Sequence, residues 1–390
     1  MRITLVTETY VPEINGVAKT LERLVNELAR RGHALHIVRP HQQQDGASPY
    51  PETRVRGLPI PGYSGLQFGL PAGGKLKKLW QDTTPDIIYV ATEGPLGSSA
   101  IRTANALDIP VVSGFHTNFH TYSKHYRLGW LEKLIFAYLK NLHNRTRCTL
   151  APSPDLVDQL KQRGIRDVDL FSRGVDTEQY HPLHRSAELR QQWGVDADAP
   201  LALYVGRIAA EKNIDVVIRS YQAMKAAQPQ MRLMMVGDGP IRQRLMRQHP
   251  DIIFTGPKLG LDLSQHYASA DIFLFASETE TFGNVILEAM SSGLAVVAYD
   301  YAAPRMHITH QHNGLTVDFG NAEAFCDTAV DLVRNPETLR MIRQQARVKA
   351  EQTDWKHVID HFEKVLVRYV KSESHRQRES KEPVSADGSA

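Results

Sequence analysis

The 390 residues exceed what one ordinary domain needs and suit two domains, and the 42% hydrophobic and 23% charged residues are typical of a globular protein. The cysteines, Cys148 and Cys326, are too few for a disulfide framework or a thiolate metal cage, which favours a reducing cytoplasm. The formal net charge of +3 is far from the dense basic stripe of a nucleic-acid-binding protein, so no nucleic-acid partner is expected.

The first half of the chain alternates short apolar runs with helical patterns. Its opening residues predict a strand over 3–8 rather than a targeting segment, and an amphipathic helix over 16–32 ends at a glycine. No run reaches the roughly 18–20 apolar residues that a membrane span needs. Further elements are predicted as strands at 34–40, 86–93, 109–116, 148–153 and 168–174, and as a helix over 94–108. Apolar strands separated by helices indicate a parallel sheet covered on both faces.

The same pattern starts again after a polar, proline-containing stretch at about 176–200. Strands are predicted there at 201–207, 231–239, 251–257, 271–277 and 294–299. The sequence therefore predicts an α/β protein of two Rossmann-like domains, 1–176 and 177–370. Their strand ends should face each other across a ligand-binding cleft. Residues 371–390 are charged and serine-rich and are predicted to form a disordered tail.

The most informative segment is SETETFGNVILEAM (277–290), in which a strand end is followed by an acidic loop and a helix start. Backbone N–H groups of Phe282, Gly283 and Asn284 should lie at the N-terminus of that helix. The helix dipole there favours an anion such as a diphosphate. This turn is therefore predicted to bind phosphate groups.

Two carboxylates flank the turn. Glu280 precedes the helix and is suited to accept hydrogen bonds from sugar hydroxyls, and Glu288 lies inside the helix and is suited to ribose hydroxyls. The alternative is a solvated loop acid and a helix-surface acid. An unpaired charge in the apolar run around Glu288 would be costly, which favours a ligand-facing role.

Cations and a glycine loop complete the predicted anion site. In YVGRIAAEKN (204–213), Arg207 closes a strand and Lys212 begins the next helix, so that both can hold a diphosphate and neutralise its charge as it leaves. A pair of solvated surface cations is the alternative. In TYVPEINGVAKT (9–20), Gly16 lies at a helix start, where backbone can approach a phosphate or sugar closely. An ordinary turn glycine at a helix entry is the competing interpretation.

A histidine follows the strand that ends in GFHTNFHTY (114–122). His116 lies at the carboxyl end of that strand and is suited to donate a hydrogen bond to a sugar hydroxyl, although a core or capping histidine has the same pattern. His116 and His120 have the spacing of zinc ligands on a helix, but no acidic or thiol ligand lies nearby in the sequence. No metal site is predicted.

Taken in order, these motifs resemble the retaining glycosyltransferases of the two-domain GT-B fold, a family that includes bacterial lipid and polysaccharide mannosyltransferases. The resemblance runs from residue 9 to the helix around Trp355. It implies a transferase that needs no metal and no cofactor and that keeps the configuration of the anomeric carbon of a nucleotide-diphosphate sugar. It also implies that the donor sugar contacts Glu280 and His116, that the ribose contacts Glu288 and that the diphosphate contacts Arg207 and Lys212. Gly16 matches the N-terminal glycine loop of the family.

The segments FHTNF and SRGVDTEQYHP most resemble GDP-mannose-dependent α-mannosyltransferases, and they also resemble enzymes that glycosylate diacylglycerol from UDP-sugars. The prediction is transfer of a hexose, mannose from GDP-mannose, to a lipid or glycan acceptor. A UDP-sugar-dependent diacylglycerol glycosyltransferase is the alternative. In this family the last helix commonly crosses back to the first domain, and residues 354–370 fit that helix.

The stretch 119–147 carries six Lys or Arg residues against one acid, with aromatic and aliphatic residues between them. Residues proposed to contact an acceptor or an anionic membrane are Lys124, Arg127, Trp130 and Lys133. Together with the basic run at 73–80, they predict a cytoplasmic enzyme held peripherally on the inner face of the cytoplasmic membrane. A helix with one packed face and one solvated basic face is the alternative.

Other classes of protein fit less well. A sugar-nucleotide epimerase needs acid and base groups for which only His116 is a candidate. A dinucleotide-dependent oxidoreductase lacks a GxGxxG run after the first strand. A non-catalytic membrane or carbohydrate-binding module would not need the diphosphate-binding set of Arg207, Lys212 and the 282–284 turn.

Overall fold

The computed structural model describes residues 1–13, 16–42, 48–59, 67–115, 129–279 and 283–379. Contacts divide the chain into two compact units. Unit 1 comprises Met1–Ser172 together with Val358–Ala390, and unit 2 comprises Arg173–His357. The sequence predicts a boundary after residue 176, and the structure has it after Ser172.

Unit 1 is built on a parallel sheet. Its strands are β1 (Arg2–Val6), β2 (Ala34–Pro40), β3 (Glu52–Val55), β6 (Ile87–Val90), β7 (Val111–Gly114), β8 (Cys148–Ala151) and β9 (Val168–Leu170). The sheet order is β3-β2-β1-β6-β7-β8-β9, and every neighbouring pair is parallel. A separate antiparallel pair joins β4 (Gly57–Pro59) and β5 (Gln67–Gly69). The helices of this part of the chain are α1 (Gly16–Arg30), α2 (Gly73–Asp82), α3 (Pro95–Asn105), α4 (Gly129–His143) and α5 (Pro154–Gln162).

Burial explains why these segments become strands. Every residue of β6, β7 and β8 is buried, because helices cover both faces of a parallel sheet. Amphipathic helices supply that cover. For example, α2 buries Leu76 and Trp80, which pack in the same core as residues of β1, β6 and α3.

Unit 2 repeats the architecture. Its strands are β10 (Leu201–Val205), β11 (Arg232–Val236), β12 (Ile253–Gly256), β13 (Ile272–Phe275), β14 (Ala295–Tyr299) and β15 (Leu315–Val317), in the sheet order β12-β11-β10-β13-β14-β15. Its helices are α6 (Ala187–Gln192), α7 (Ile214–Ala227), α8 (Arg242–Gln248), α9 (Gly260–Ala268), α10 (Asn284–Ser291), α11 (Ala303–His307), α12 (Ala322–Arg334) and α13 (Pro336–Gln352). All its neighbouring strands are parallel. The two Rossmann-like sheets confirm the predicted α/β fold class.

The strand order of each sheet reverses at one point. The reversal lies between β1 and β6 in unit 1 and between β10 and β13 in unit 2. Connections on the two sides of such a point leave on opposite faces of the sheet, which opens a crevice beyond the carboxyl ends of the two strands. Each unit therefore offers its own crevice, and the sequence motifs can be located against it.

The last helix, α14 (Trp355–Glu379), enters unit 1 at Val358. Within unit 1 the ring of Phe362 packs 4.9 Å from the rings of both Tyr89 and Phe171. The helix continues beyond Lys371, where the sequence predicts the disordered tail to begin. Lysine, glutamate, arginine and glutamine are all favourable helix formers, so a charged composition does not end a helix that is already formed. Residues 380–390 lie outside the described part of the chain.

Candidate active site

The crevice of unit 2 is bordered by the segments that leave β10 and β13. A short 3₁₀ turn, Ala210–Lys212, follows β10 and ends at Asn213, which has a left-handed backbone conformation. From this turn the Lys212 ammonium group donates hydrogen bonds to the Thr279 carbonyl at 2.8 Å and to the Ser277 hydroxyl at 3.3 Å. Lys212 thus joins the two strand ends on either side of the reversal point.

Two more hydrogen bonds tie the same segments together. The Asn213 amide donates to Glu278 Oε1 at 3.1 Å, and the Thr279 hydroxyl donates to the Glu211 carbonyl at 3.1 Å. These bonds fix the acidic loop that precedes α10 to the turn that carries Lys212. The ammonium group is therefore preorganised at Thr279, in the acidic loop that precedes α10.

Arg207 leaves the end of β10 with an exposed side chain. Its Nη1 lies 3.2 Å from Glu211 Oε1, and the two side chains are 66% and 45% exposed. Exposed ion pairs contribute little stability, so a more highly charged anion can displace Glu211 from the guanidinium. The backbone is held more firmly, since the Tyr204 hydroxyl donates to the Arg207 carbonyl at 2.9 Å.

Glycines in the neighbouring segment allow β10 and β11 to end in close contact. A Cβ atom on Gly237 would lie 2.0 Å from the Gly206 carbonyl, and one on Gly239 would lie 2.2 Å from the Ile208 carbonyl. Ile208 also donates its N–H to the Asp238 carbonyl at 2.9 Å. The VGDGP run (236–240) therefore supports the backbone on both sides of Arg207.

Helix α10 begins at Asn284, directly after Gly283. Gly283 precedes the helix in a left-handed conformation with φ of 50°, and within the described ranges no side chain caps the helix start. Asn284 is the exposed first residue, and the buried residues of the helix are Ile286, Leu287, Ala289, Met290 and Ser291. Such a terminus favours an anion because its N–H groups lack partners in the helix. Phe282 and Glu280 lie outside the described residues, so their predicted contacts stay predictions.

Glu288 lies inside α10 and has a partner that the sequence did not reveal. The buried Tyr267 hydroxyl donates a hydrogen bond to Glu288 Oε2 at 2.9 Å. Burial, followed by the nearby carboxylate, raises the pKa of Tyr267 and also that of Tyr180. The premise that the Glu288 charge would be unpaired in an apolar helix is therefore wrong. Its contact with ribose stays a prediction.

In unit 1, the structure describes only some of the predicted site residues. Gly16 is the first residue of α1, and its carbonyl accepts a hydrogen bond from the Thr20 hydroxyl at 2.8 Å. His116, Lys124 and Arg127 lie outside the described residues. Trp130 belongs to α4, but its side chain is not described.

The predicted membrane-facing elements have mixed surfaces. α4 buries Leu139 and Leu142 and exposes Lys133 and Leu134, the latter at 57%. α2 buries Leu76 and Trp80 and exposes the lysines Lys75, Lys77 and Lys78. Each of these two helices therefore has an apolar face that packs in the core and a basic face that is exposed. None of the helices in the described residues is long and apolar enough to cross a membrane.

A half-buried carboxylate in the crevice of unit 1 was not singled out from the sequence. Glu8 follows β1, and its Oε1 accepts a hydrogen bond from the N–H of Leu96 in the first turn of α3 at 3.1 Å. Burial raises its pKa to about 7, and the charge of Glu93 contributes in the same direction. The sequence does carry an acid directly after the first strand, in TETY (7–10). Its hydrogen-bond donor, Leu96, comes from a segment far along the chain.

Comparison with known families assigns the class of protein. Residues 14–179 match the family model Glycosyltransferase Family 4, and residues 185–349 match Glycosyl transferases group 1. With two Rossmann-like units, these matches define a glycosyltransferase of the GT-B fold. A GDP-mannose-dependent alpha-mannosyltransferase of Mycobacterium tuberculosis (strain CDC 1551 / Oshkosh) is 32% identical over 329 residues, which is 83% of this chain and 85% of that protein. The chain therefore belongs to this family of glycosyltransferases and is a hexosyltransferase.

Two further proteins bear on substrate and fold. The Alpha-monoglucosyldiacylglycerol synthase of Streptococcus pneumoniae (strain ATCC BAA-255 / R6) is 26% identical over 77% of this chain and 71% of that protein. The crystal structure of Anabaena Alr3699/HepE in complex with UDP superposes with a TM-score of 0.72 at 21% identity, covering 94% of this chain and 100% of that chain. This structural likeness supports the fold.

Proposed function

We propose that the enzyme transfers mannose from GDP-mannose to a lipid or glycan acceptor with retention of configuration and without a metal ion. Unit 2 binds the donor, and unit 1 binds the acceptor. The observation that carries the proposal is the position of Lys212, whose ammonium group joins the segments after β10 and β13 in the loop that leads into α10. A diphosphate at that helix start meets the helix dipole, the Lys212 ammonium and the Arg207 guanidinium.

The chemistry follows from these charges. The bond between the anomeric carbon and the β-phosphate oxygen breaks, and negative charge builds on the departing diphosphate. Lys212, Arg207 and the N–H groups at the start of α10 stabilise that charge, a role that a metal ion fills in other transferases. The acceptor hydroxyl attacks the face that the leaving group vacates, and its proton passes to the departing phosphate oxygen. Retention rests on the family resemblance, as do the sugar contacts of Glu280 and His116.

The choice of donor rests on the relatives. The Mycobacterium tuberculosis relative, 32% identical, is named for GDP-mannose. A UDP-sugar-dependent diacylglycerol glycosyltransferase is the second candidate, and the match to Alpha-monoglucosyldiacylglycerol synthase favours it. Both candidates keep the same diphosphate site and differ in the base and the sugar.

A lipid acceptor fits the surface of unit 1. The exposed residues of α4 and α2 combine lysines with apolar groups such as Leu134, and such surfaces bind anionic bilayers. We therefore place the enzyme on the inner face of the cytoplasmic membrane as a peripheral protein. Binding to vesicles with and without anionic lipid, at moderate salt, tests this part of the proposal.

A thermal-shift screen tests the donor. The purified chain is heated with GDP, UDP, ADP and their common sugar conjugates, each with and without EDTA. A ligand that binds only the folded state raises the melting temperature, by the equivalent of about 2.7 kcal/mol at a hundred times its Kd. We expect GDP and GDP-mannose to give the largest shifts, unchanged by EDTA.

Each other result has a definite meaning. A larger shift with UDP would select the diacylglycerol glycosyltransferase. A shift abolished by EDTA would contradict metal independence. No shift with any nucleotide would overturn the assignment of the donor site to unit 2.

A further inference from the structure

We propose that Arg173 is a third cation of the donor site and contacts the diphosphate of the nucleotide sugar beside Lys212 and Arg207. The inference rests on the proposed function, because it requires the diphosphate to bind at the start of α10. Arg173 lies in the segment SRGVDTEQYHP, to which the sequence analysis gives no role at the donor site.

The contact that points to Arg173 lies at the helix start itself. Arg173 Nη1 donates to Oδ1 of Asn284 at 3.5 Å, although the two residues are 111 positions apart. Asn284 is the first residue of α10, directly after the left-handed Gly283. The guanidinium group therefore lies at the N-terminus that is proposed to hold phosphate.

The backbone after Arg173 is anchored within unit 2, so this position is built into the fold. Val175 donates its N–H to the Thr353 carbonyl at 3.1 Å and accepts from the N–H of Trp355 at 3.2 Å. Gly174 permits this approach, since a Cβ atom there would lie 2.8 Å from the Cα atom of Trp355. The backbone is thus held by hydrogen bonds at Val175, two residues beyond Arg173.

A second anchor follows directly. Asp354 Oδ2 accepts hydrogen bonds from the Thr177 hydroxyl at 2.5 Å and from its N–H at 3.3 Å. Burial raises the pKa of Asp354, but these hydrogen bonds outweigh it and lower the pKa overall, as expected for an ionised acceptor. The segment that begins at Arg173 is therefore held by hydrogen bonds at Val175 and again at Thr177.

The chemistry of the contact favours exchange for phosphate. A bond of 3.5 Å to a neutral amide oxygen is long and weak, whereas guanidinium–phosphate bonds are charge-assisted and often bidentate. The planar fork of arginine matches phosphate oxygens better than a lysine ammonium does. A diphosphate at the start of α10 would therefore compete successfully with Asn284 for the guanidinium.

The alternative is that Arg173 only fastens the chain to α10. Calorimetric titration of the full chain with GDP and with guanosine separates the two roles, because only GDP carries the phosphates. The variants are Arg173→Ala and Arg173→Lys. Arg340→Ala removes an exposed arginine of unit 2 from α13 and serves as the control for loss of a positive charge.

We expect Arg173→Ala to weaken GDP binding about 10- to 100-fold, the range for loss of one hydrogen-bonded charged contact, with guanosine affinity within about 2-fold of the parent. The GDP affinity of Arg173→Lys should lie between those of Arg173→Ala and the parent, since lysine keeps the positive charge but lacks the planar guanidinium group. Arg340→Ala should match the parent for both ligands. If UDP is the preferred nucleotide, UDP and uridine replace the guanine pair.

Three results would overturn the inference. GDP affinity unchanged in Arg173→Ala would leave the donor-site proposal intact and remove Arg173 from it. Equal weakening of GDP and guanosine would show that Arg173 acts only on the structure of unit 2. Failure of the parent chain to bind any nucleoside diphosphate would remove the proposed function itself, and the inference with it.

Discussion

The ionisation of Glu8 should affect the stability of unit 1 near neutral pH. Its side chain is half-buried just after β1, and this burial raises the pKa of its carboxyl group from 4.5 to about 7. The folded chain holds this proton up to about pH 7, whereas the unfolded chain releases it near pH 4.5. The unfolding free energy therefore falls as pH rises through this interval.

The variant Glu8→Gln should remove this dependence, since its amide oxygen can still accept the N–H of Leu96. We expect the melting temperature of Glu8→Gln, measured relative to that of the parent, to increase as pH rises from about 5 to about 8. Differential scanning calorimetry at several pH values measures the difference. Asp82→Asn, at an exposed end of α2, should give a curve parallel to the parent. A pH-independent gap between Glu8→Gln and the parent would show that Glu8 does not titrate in this range.

Contacts between single residues also show what could not be predicted from the sequence. The run VILEAM correctly places Glu288 in an apolar helix, but its partner Tyr267 lies 21 positions earlier on α9. Glu8 and Leu96 are separated by 88 positions. Such pairs arise because strands distant in sequence become neighbours in the sheet, and no local pattern encodes them.

At the scale of elements, the start of α10 depends on one backbone conformation. Gly283 has a φ of 50°, which costs a residue with a Cβ atom roughly 1–2 kcal/mol. Gly283→Ala should therefore destabilise unit 2 by about that amount and weaken nucleotide binding, because the N–H groups at the helix start shift.

Gly320 offers a matched control for this change. It also has a left-handed backbone, with φ of 79°, and a Cβ atom there would meet nothing within 4 Å. Gly320→Ala should lose a similar unfolding free energy in a denaturant titration, with GDP affinity unchanged. If Gly283→Ala also binds GDP normally, the start of α10 is not the phosphate site.

The elements that sequence patterns did and did not predict differ in burial. Fully apolar strands such as β6 and β14 were predicted, because a parallel sheet buries them on both faces. The short strands β3 and β15 were not predicted. Both lie at sheet edges and contain polar residues, so they carry neither a long apolar run nor a clear alternation.

At the scale of the whole molecule, unit 1 depends on a segment from the far end of the chain. Phe362 is fully buried against Tyr89 and Phe171, and Glu363 bonds with Arg31 and His33. Phe362→Ala should cost about 3–5 kcal/mol. We expect faster hydrogen exchange in unit 1, above all in β6, measured by mass spectrometry.

Phe325 provides the comparison in unit 2, where it is equally buried. Phe325→Ala should speed exchange in unit 2 peptides around β14. Faster exchange in unit 2 for Phe362→Ala would contradict the assignment of the last helix to unit 1.

Because residues 173–357 form unit 2, this unit is inserted into unit 1 rather than appended to it. Its two ends lie side by side, joined by the parallel bridge between Val175 and Asp354. During synthesis on the ribosome, unit 2 has all its residues before Phe362 is made. The unit that the ribosome begins first is therefore the one that can be completed last. Until α14 emerges, the rings of Tyr89 and Phe171 lack the side chain that covers them, which makes the nascent first unit dependent on the end of translation.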